Sequence, residues 1–159
     1  MDDQQPEKDD RPGILTPPPL MHLGGIGVGY GLDQVLAWHF AIPRGLAILA
    51  LVVALVGVAL VVSAVITLHR HHTTVLPQRA ASHLVTGGPF AISRNPIYAG
   101  FALLHLACGL SLGSPGILLM LLPVLHVMHH HVIAEEEAFH QRKFGEQWQA
   151  YSQRVRRWI

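Results

Sequence analysis

Three groups of residues in this 159-residue chain have types and spacings suited to chemistry. The first lies in HLVTGGPFAISRNPIYAG, residues 83–100. Gly87-Gly88-Pro89 forces a turn and lets backbone approach a ligand, while Pro96 favours an extended Asn95 and opens a helix at its first turn. Arg94 then stands just ahead of a helix start, where a guanidinium beside free backbone N–H groups can receive a carboxylate or phosphate; it also reads as an arginine snorkelling at a membrane interface. The second group is Glu135-Glu136-Glu137. Such a run is either a solvated helix start or a receptor for a cationic group such as an ammonium, with another carboxylate fixing Arg94 or Arg142. The third group is histidine, twelve in all, with His69, His71 and His72 at one expected helix end and His126, His129, His130 and His131 at another. His126 and His130 share a helical face at i, i+4, and HVMHH has the H-x-x-H-H form of membrane di-iron enzymes. No H-x-x-x-H box with the expected companions sits on a second helix, and clustered histidines at helix ends are equally interfacial residues or chance composition; a membrane metalloenzyme built on the His69–His72 and His126–His131 clusters is the competing reading.

The elements that must position these groups are apolar. Half the chain is hydrophobic and 13% is charged, too little charge for the surface of a soluble domain of this size. Leu46–Leu68 carries no charged residue and no histidine, and at about 1.5 Å per residue it exceeds the roughly 30 Å hydrocarbon core. It is expected to span. Leu20–Phe40 is a weaker span, with five glycines and Asp33; an intramembrane carboxylate of this kind usually faces protein or a cavity. The apolar region Ile97–Ile133 is broken at Gly113-Ser114-Pro115-Gly116, a tight turn between two short helices. The expected fold is an all-α integral membrane protein with about four transmembrane helices (20–40, 46–68, 97–112 and 116–133) arranged as two hairpins. It has one domain, residues 20–159, after a disordered tail at 1–19.

Orientation follows from charge. The connection His69–Asn95 holds Arg70, Arg79 and Arg94 against Arg44 alone on the other side, so it is expected in the cytoplasm, and four spans return the basic segment after Ile133 to that face. There Phe144, Trp148, Tyr151 and Val155 recur at spacings of four, three and four on an amphipathic helix over 134–155, a stripe that extends back through His140 to Glu137. This stripe lies either on lipid, with Trp148, Tyr151 and Trp158 at headgroup depth, or over a site made by the loop. A formal charge of +1 removes the electrostatic case for nucleic acid. Cys108 stands alone, so no disulfide forms within the chain.

The combination GGPFAISRNPIYAG, a helical hairpin and EEEAFHQRKFGEQWQAYSQRVRRWI resembles the small integral membrane methyltransferases grouped with isoprenylcysteine carboxyl methyltransferase and phospholipid N-methyltransferase. Their pattern is a Gly-Pro-aromatic turn, an Arg-His/Asn-Pro-x-Tyr-x-Gly motif, and paired glutamates followed by Phe-Gly, an aromatic and Tyr. The match runs from about Leu84 to the end of the chain. Asn95 stands where eukaryotic members usually have His, as in many bacterial members; Trp148 replaces a common Tyr, and His140 a common Leu.

This resemblance implies S-adenosylmethionine as cofactor, with S-adenosylhomocysteine as product, bound without a Rossmann domain. GGIGVG at 24–29 fits helix packing better than dinucleotide binding. The donor needs an anion receptor, a cation receptor and an apolar slot. By resemblance His83, Leu84, Val85, Gly88, Pro89 and Phe90 wrap its adenosine, and Arg94 with Asn95 and Pro96 faces its carboxylate. Glu136 or Glu137 takes its ammonium, and Tyr98 lines the pocket. Arg94, Glu137 and, ranked lower, Arg142 are the expected catalytic residues, with Glu137 or His140 as base if the acceptor must lose a proton. The implied activity is methyl transfer to a membrane-soluble or small acceptor, a prenylcysteine-like carboxylate or a phospholipid amine, at the cytoplasmic face of a bacterial inner membrane. A non-catalytic membrane scaffold would lack affinity for the donor.

Overall fold

The structure, a computed structural model, describes residues 17–72 and 83–159. The expected tail 1–19 lies outside these up to residue 16, as does Arg79 in the long connection. Pro18 already occupies the first turn of helix α1, Pro18–Leu36, where its missing N–H is harmless. Ala37 ends α1 in the left-handed region at φ 51°. Helix α2, Arg44–Arg70, carries His69 and Arg70 in its last turn, where cations complement the helix dipole. Helix α3, Pro96–Leu112, ends at Gly113 with φ 59°, and Ser114 caps helix α4, Pro115–Val127, by accepting the Ile117 N–H. The tight turn expected at Gly113–Gly116 is therefore present.

Helix α4 does not stop where the apolar run stops. A π-helical turn, Met128–Ile133, joins it to α5, Ala134–Phe144, and Pro115–Phe144 forms a continuous 30-residue helix. Gly145, at φ 50° and ψ −119°, then breaks the chain before α6, Glu146–Arg154. The single helix expected over 134–155 is thus two, because the backbone at Gly145 leaves helical space. Among the described residues two helices, Arg44–Arg70 and Pro115–Phe144, are long and apolar enough to cross a membrane, and α3 is a shorter apolar helix.

The pairing of the helices differs from two sequential hairpins. Helix α2 packs along α3, α3 along α4, and α4 along α1, so the order across the bundle is α2, α3, α4, α1. Lipid tails are as apolar as leucine, so close backbone approach and polar contacts, not hydrophobicity, choose the partners. A Cβ on Gly100 of α3 would lie 2.9 Å from the Gly57 carbonyl oxygen of α2, and small residues Ala50, Gly57 and Ala64 form the buried side of α2. On α1, Gly29 lies against the backbone of Gly116, and fully buried Asp33 accepts the Gly116 N–H at 2.8 Å and the Ser114 hydroxyl. A polar staple crosses the middle: His105 Nε2 donates to the Ile117 carbonyl at 3.0 Å, and its Nδ1 meets His22 Nδ1 at 3.1 Å. Phe40 N–H donates to the Gly113 carbonyl, placing the α1–α2 connection at the α3–α4 turn. The opposite end of the bundle therefore gathers the end of α2, the start of α3, the π-turn and α5.

Candidate active site

At that second end, Gly88 turns the chain at φ 60° beside Thr67 of α2 and opens a 3-10 turn, Gly88–Ala91. The Pro89 carbonyl takes the N–H groups of Ile92 and Ser93. Buried Ser93 accepts the Asn95 N–H on its hydroxyl at 3.0 Å, a local side-chain turn that fixes the backbone on both sides of Arg94. Asn95, at φ −130°, stays outside helical space and Pro96 begins α3, as the sequence requires.

Arg94 is enclosed. Its Nη2 lies 3.1 Å from Glu137 Oε1, and its guanidinium sits 5.6 Å from the centre of the Trp148 ring, a cation–π distance. Its Nε is buried and has no hydrogen-bond partner among the described residues. Buried donors are rarely left unmet, and a charged one is costly to leave so. The break at Gly145 is what brings Trp148 here. Both Trp148 and Tyr151 are buried, and the Tyr151 hydroxyl donates to the Phe90 carbonyl at 2.7 Å. Of the two placements open for this aromatic stripe, these two residues take the one over the loop. Burial pushes the Tyr151 hydroxyl up to about 12 against the opposing pull of Arg94, so it stays protonated and donates.

The two glutamates have different surroundings. Glu136 Oε1 accepts the Tyr98 hydroxyl at 2.6 Å and makes no ion pair among the described residues. Glu137 pairs with Arg94 and, through both its oxygens, with Arg157. Two guanidiniums on one carboxylate leave this cluster one positive charge in excess, so it suits an anion, and Glu136 is the better receptor for a cation. Glu135 is exposed.

Residues 155–159 complete the site, which no spacing in the sequence indicated. The chain is extended at Val155, the Arg156 carbonyl accepts the Arg94 N–H at 2.9 Å, and the Arg157 carbonyl accepts Asn95 Nδ2 at 2.9 Å. Arg157 Nη1 reaches His129 Nε2 at 2.7 Å, while Trp158 Nε1 lies 3.1 Å from His129 Nδ1. Arg157 reads in the sequence as one more basic residue of RVRR, and His129 as one of a histidine run. Neither reading carries position. Trp158 and Ile159 also line a mainly apolar groove of about 590 Å³ between α3 and α4, together with Ala99, Leu103, Leu122 and Leu125 and the histidines His126, His129 and His130.

The expected site residues therefore divide. Arg94 meets Glu137, Asn95 meets the Arg157 carbonyl, and Tyr98 meets Glu136, the neighbour of Glu137 in the chain; Pro96 is buried. Gly88, Pro89 and Phe90 form the neighbouring turn; Val85 is buried, Leu84 half-buried and His83 exposed. Arg142 is exposed on α5 and in no ion pair among the described residues, so Arg157 stands on Glu137 where Arg142 was a candidate. His140 packs its ring against Trp148, 4.8 Å between centres. The His130 ring lies tilted against His126 at 4.5 Å and edge-on to His129 at 4.7 Å between centres, and among the described residues no three His, Cys, Asp or Glu side chains converge as a metal site.

The family model described as phospholipid methyltransferase matches residues 46–147, well over half the chain. The chain belongs to that family. Among curated proteins none matches it. Membership makes this a member of a methyltransferase family acting on membrane-associated substrates, consistent with an integral membrane protein bearing two long apolar helices. The matched range of this family member holds Arg94, Asn95, Tyr98, Glu136 and Glu137, and stops short of Tyr151, Arg157 and Trp158.

Proposed function

We propose that this family member transfers a methyl group from S-adenosylmethionine to a lipid-soluble acceptor at the end of the bundle where Arg94 and the glutamates meet. The single observation that carries the reading is the buried Arg94 Nε, unpartnered among the described residues, beside a cluster with excess positive charge, while Glu136, next to Glu137 in the chain, makes no ion pair among the described residues. An amino-acid zwitterion needs that pairing of receptors. Arg94 would hold the carboxylate, Glu136 the ammonium, and the Gly88–Phe90 turn with Leu84 and Val85 would contact the adenosine. When bound, the donor supplies an electrophilic methyl group on a sulfonium.

The protein's own work is alignment and exclusion of water. Tyr98 fixes the Glu136 carboxylate, Trp148 covers the Arg94 guanidinium, and Tyr151 ties α6 to the Phe90 carbonyl, so the C-terminal part of the chain closes the site from outside. The α3–α4 groove supplies an apolar approach for an acceptor whose reacting group is a carboxylate or an amine. A carboxylate needs no base; for an amine, Glu137 or His140 would take the proton. A bundle of four spanning helices, with the site at the cytoplasmic face of a bacterial inner membrane, accords with the charge of the loops.

The test is calorimetric titration of metal-stripped, detergent-purified protein with S-adenosylhomocysteine. One saturable site is expected, weakened about tenfold or more by Glu136→Gln, where a charged hydrogen bond is lost. Absence of binding to the wild-type protein would sink the donor assignment and leave the scaffold reading.

A further inference from the structure

His129 stands between two groups that can only donate. Arg157 Nη1 lies 2.7 Å from its Nε2, and Trp158 Nε1 lies 3.1 Å from its Nδ1. A neutral imidazole has one accepting nitrogen, and a protonated one has none. Both contacts therefore cannot be hydrogen bonds at once, and the tautomer of His129 decides which is made. The two competitors belong to different parts of the molecule. Arg157 holds Glu137, while Trp158 walls the α3–α4 groove and packs against the buried cluster of Tyr98, Met128, Val132 and Ile133.

We propose that His129 is a positioning residue whose choice between Trp158 and Arg157 couples occupancy of the α3–α4 groove to the freedom of Glu137. An apolar chain in the groove removes water from the indole N–H, and a desolvated donor without an acceptor is costly. Arg157, at 27% side-chain exposure, can return a lost N–H to water. Filling the groove thus commits His129 Nδ1 to Trp158, turns Nε2–H toward Arg157, and removes one of the contacts holding that guanidinium on Glu137. The coupling gives the acceptor site a way to open the charge cluster beside it. It extends the proposed methyl transfer, on which its donor-affinity readout rests, while its tautomer readout stands without it.

The test uses full-length protein labelled with 15N-histidine in amphipol, with monooleoylglycerol as the uncharged apolar chain and His129→Gln to assign the signals. On saturation His129 is expected to shift to the tautomer protonated at Nε2, and the dissociation constant of S-adenosylhomocysteine to fall about tenfold, within the usual range of coupling between sites. Trp158→Phe keeps the ring and removes the donor, so its His129 stays with Arg157 and the lipid no longer moves the affinity. Arg157→Met is equally insensitive to the lipid, and its affinity starts weaker, because the excess positive charge beside Arg94 is gone. The proposal is overturned by a wild-type His129 tautomer that does not move at saturation, by failure of the chain to bind, or by Trp158→Phe responding as wild type does. If a variant is unstable, the wild-type tautomer titration alone decides. Absence of S-adenosylhomocysteine binding with the tautomer shift intact removes the donor reading and leaves the role of His129 standing.

Discussion

The two ends of the bundle each bury a carboxylate, and they satisfy it differently. At the α3–α4 turn Asp33 is fully enclosed and met by the Gly116 N–H and the Ser114 hydroxyl, neutral donors at a helix start where a negative charge is favoured. Ser114 at the same time caps Ile117, so each polar group in that knot has a partner. At the other end Glu137 is met by two guanidiniums, yet among the described residues nothing meets the buried Arg94 Nε, and His129 is asked to accept twice. Closed polar knots hold helices together, whereas unfinished ones are where a ligand completes the count.

Breaking the closed knot is expected to have the largest effect. Asp33→Ala strands the Gly116 N–H and the Ser114 hydroxyl in an apolar setting, and thermal denaturation in detergent should show a loss of about 3 kcal/mol. Affinity for S-adenosylhomocysteine in the folded fraction should stay unchanged; a parallel loss of affinity would merge the two ends into one unit. Arg94→Ala sharpens the contrast in the opposite direction. Glu137 keeps Arg157, so stability should fall by about 1 kcal/mol or less, while affinity for S-adenosylhomocysteine should drop about 100-fold by calorimetry, as for truncation of a buried charged contact.

The smallest effect belongs to the clasp between α6 and the loop. Tyr151→Phe removes one neutral hydrogen bond and should cost about 1 kcal/mol in a denaturation midpoint. Its pH dependence is more telling. Tyr151 is raised from an ordinary value near 10 to about 12, so the stability it contributes is present below pH 10 and is lost as pH rises towards 12. The difference between wild type and Tyr151→Phe should therefore shrink across that window; a constant difference would mean that the hydroxyl is not held neutral in the folded state.

How much of this was legible in the chain depended on how local the cause was. Leu46–Leu68 could be read because an uninterrupted apolar run of that length has few other stable states, and α2 indeed covers it. The turn at Gly113-Ser114 and the start of α3 at Pro96 were legible because proline, glycine and a serine cap act within a few residues. The π-turn and the break at Gly145 were not legible, since an apolar-to-polar transition marks where surroundings change, not where a helix axis changes. Helix pairing was legible only in part: α3 and α4 pack as an adjacent pair, but Gly57 against Gly100 draws α2 to α3, and Asp33 at the start of α4 draws α1 to α4.

The sequence by itself determined that the chain is helical and apolar, where α3 and its turn into α4 begin, and which two short motifs carry Arg94, Asn95 and Tyr98 and the glutamates. Those follow from periodicity, backbone restriction and residue chemistry, all of short range. Only the tertiary structure decided that Glu137 is shared by Arg94 and Arg157, that Glu136 is left to Tyr98, and that residues 155–159 close the site against His129. Those pairings join positions 20 to 43 residues apart. Their geometry is set by close packing of helices and by the requirement that buried polar groups find partners, and neither is written at any one position.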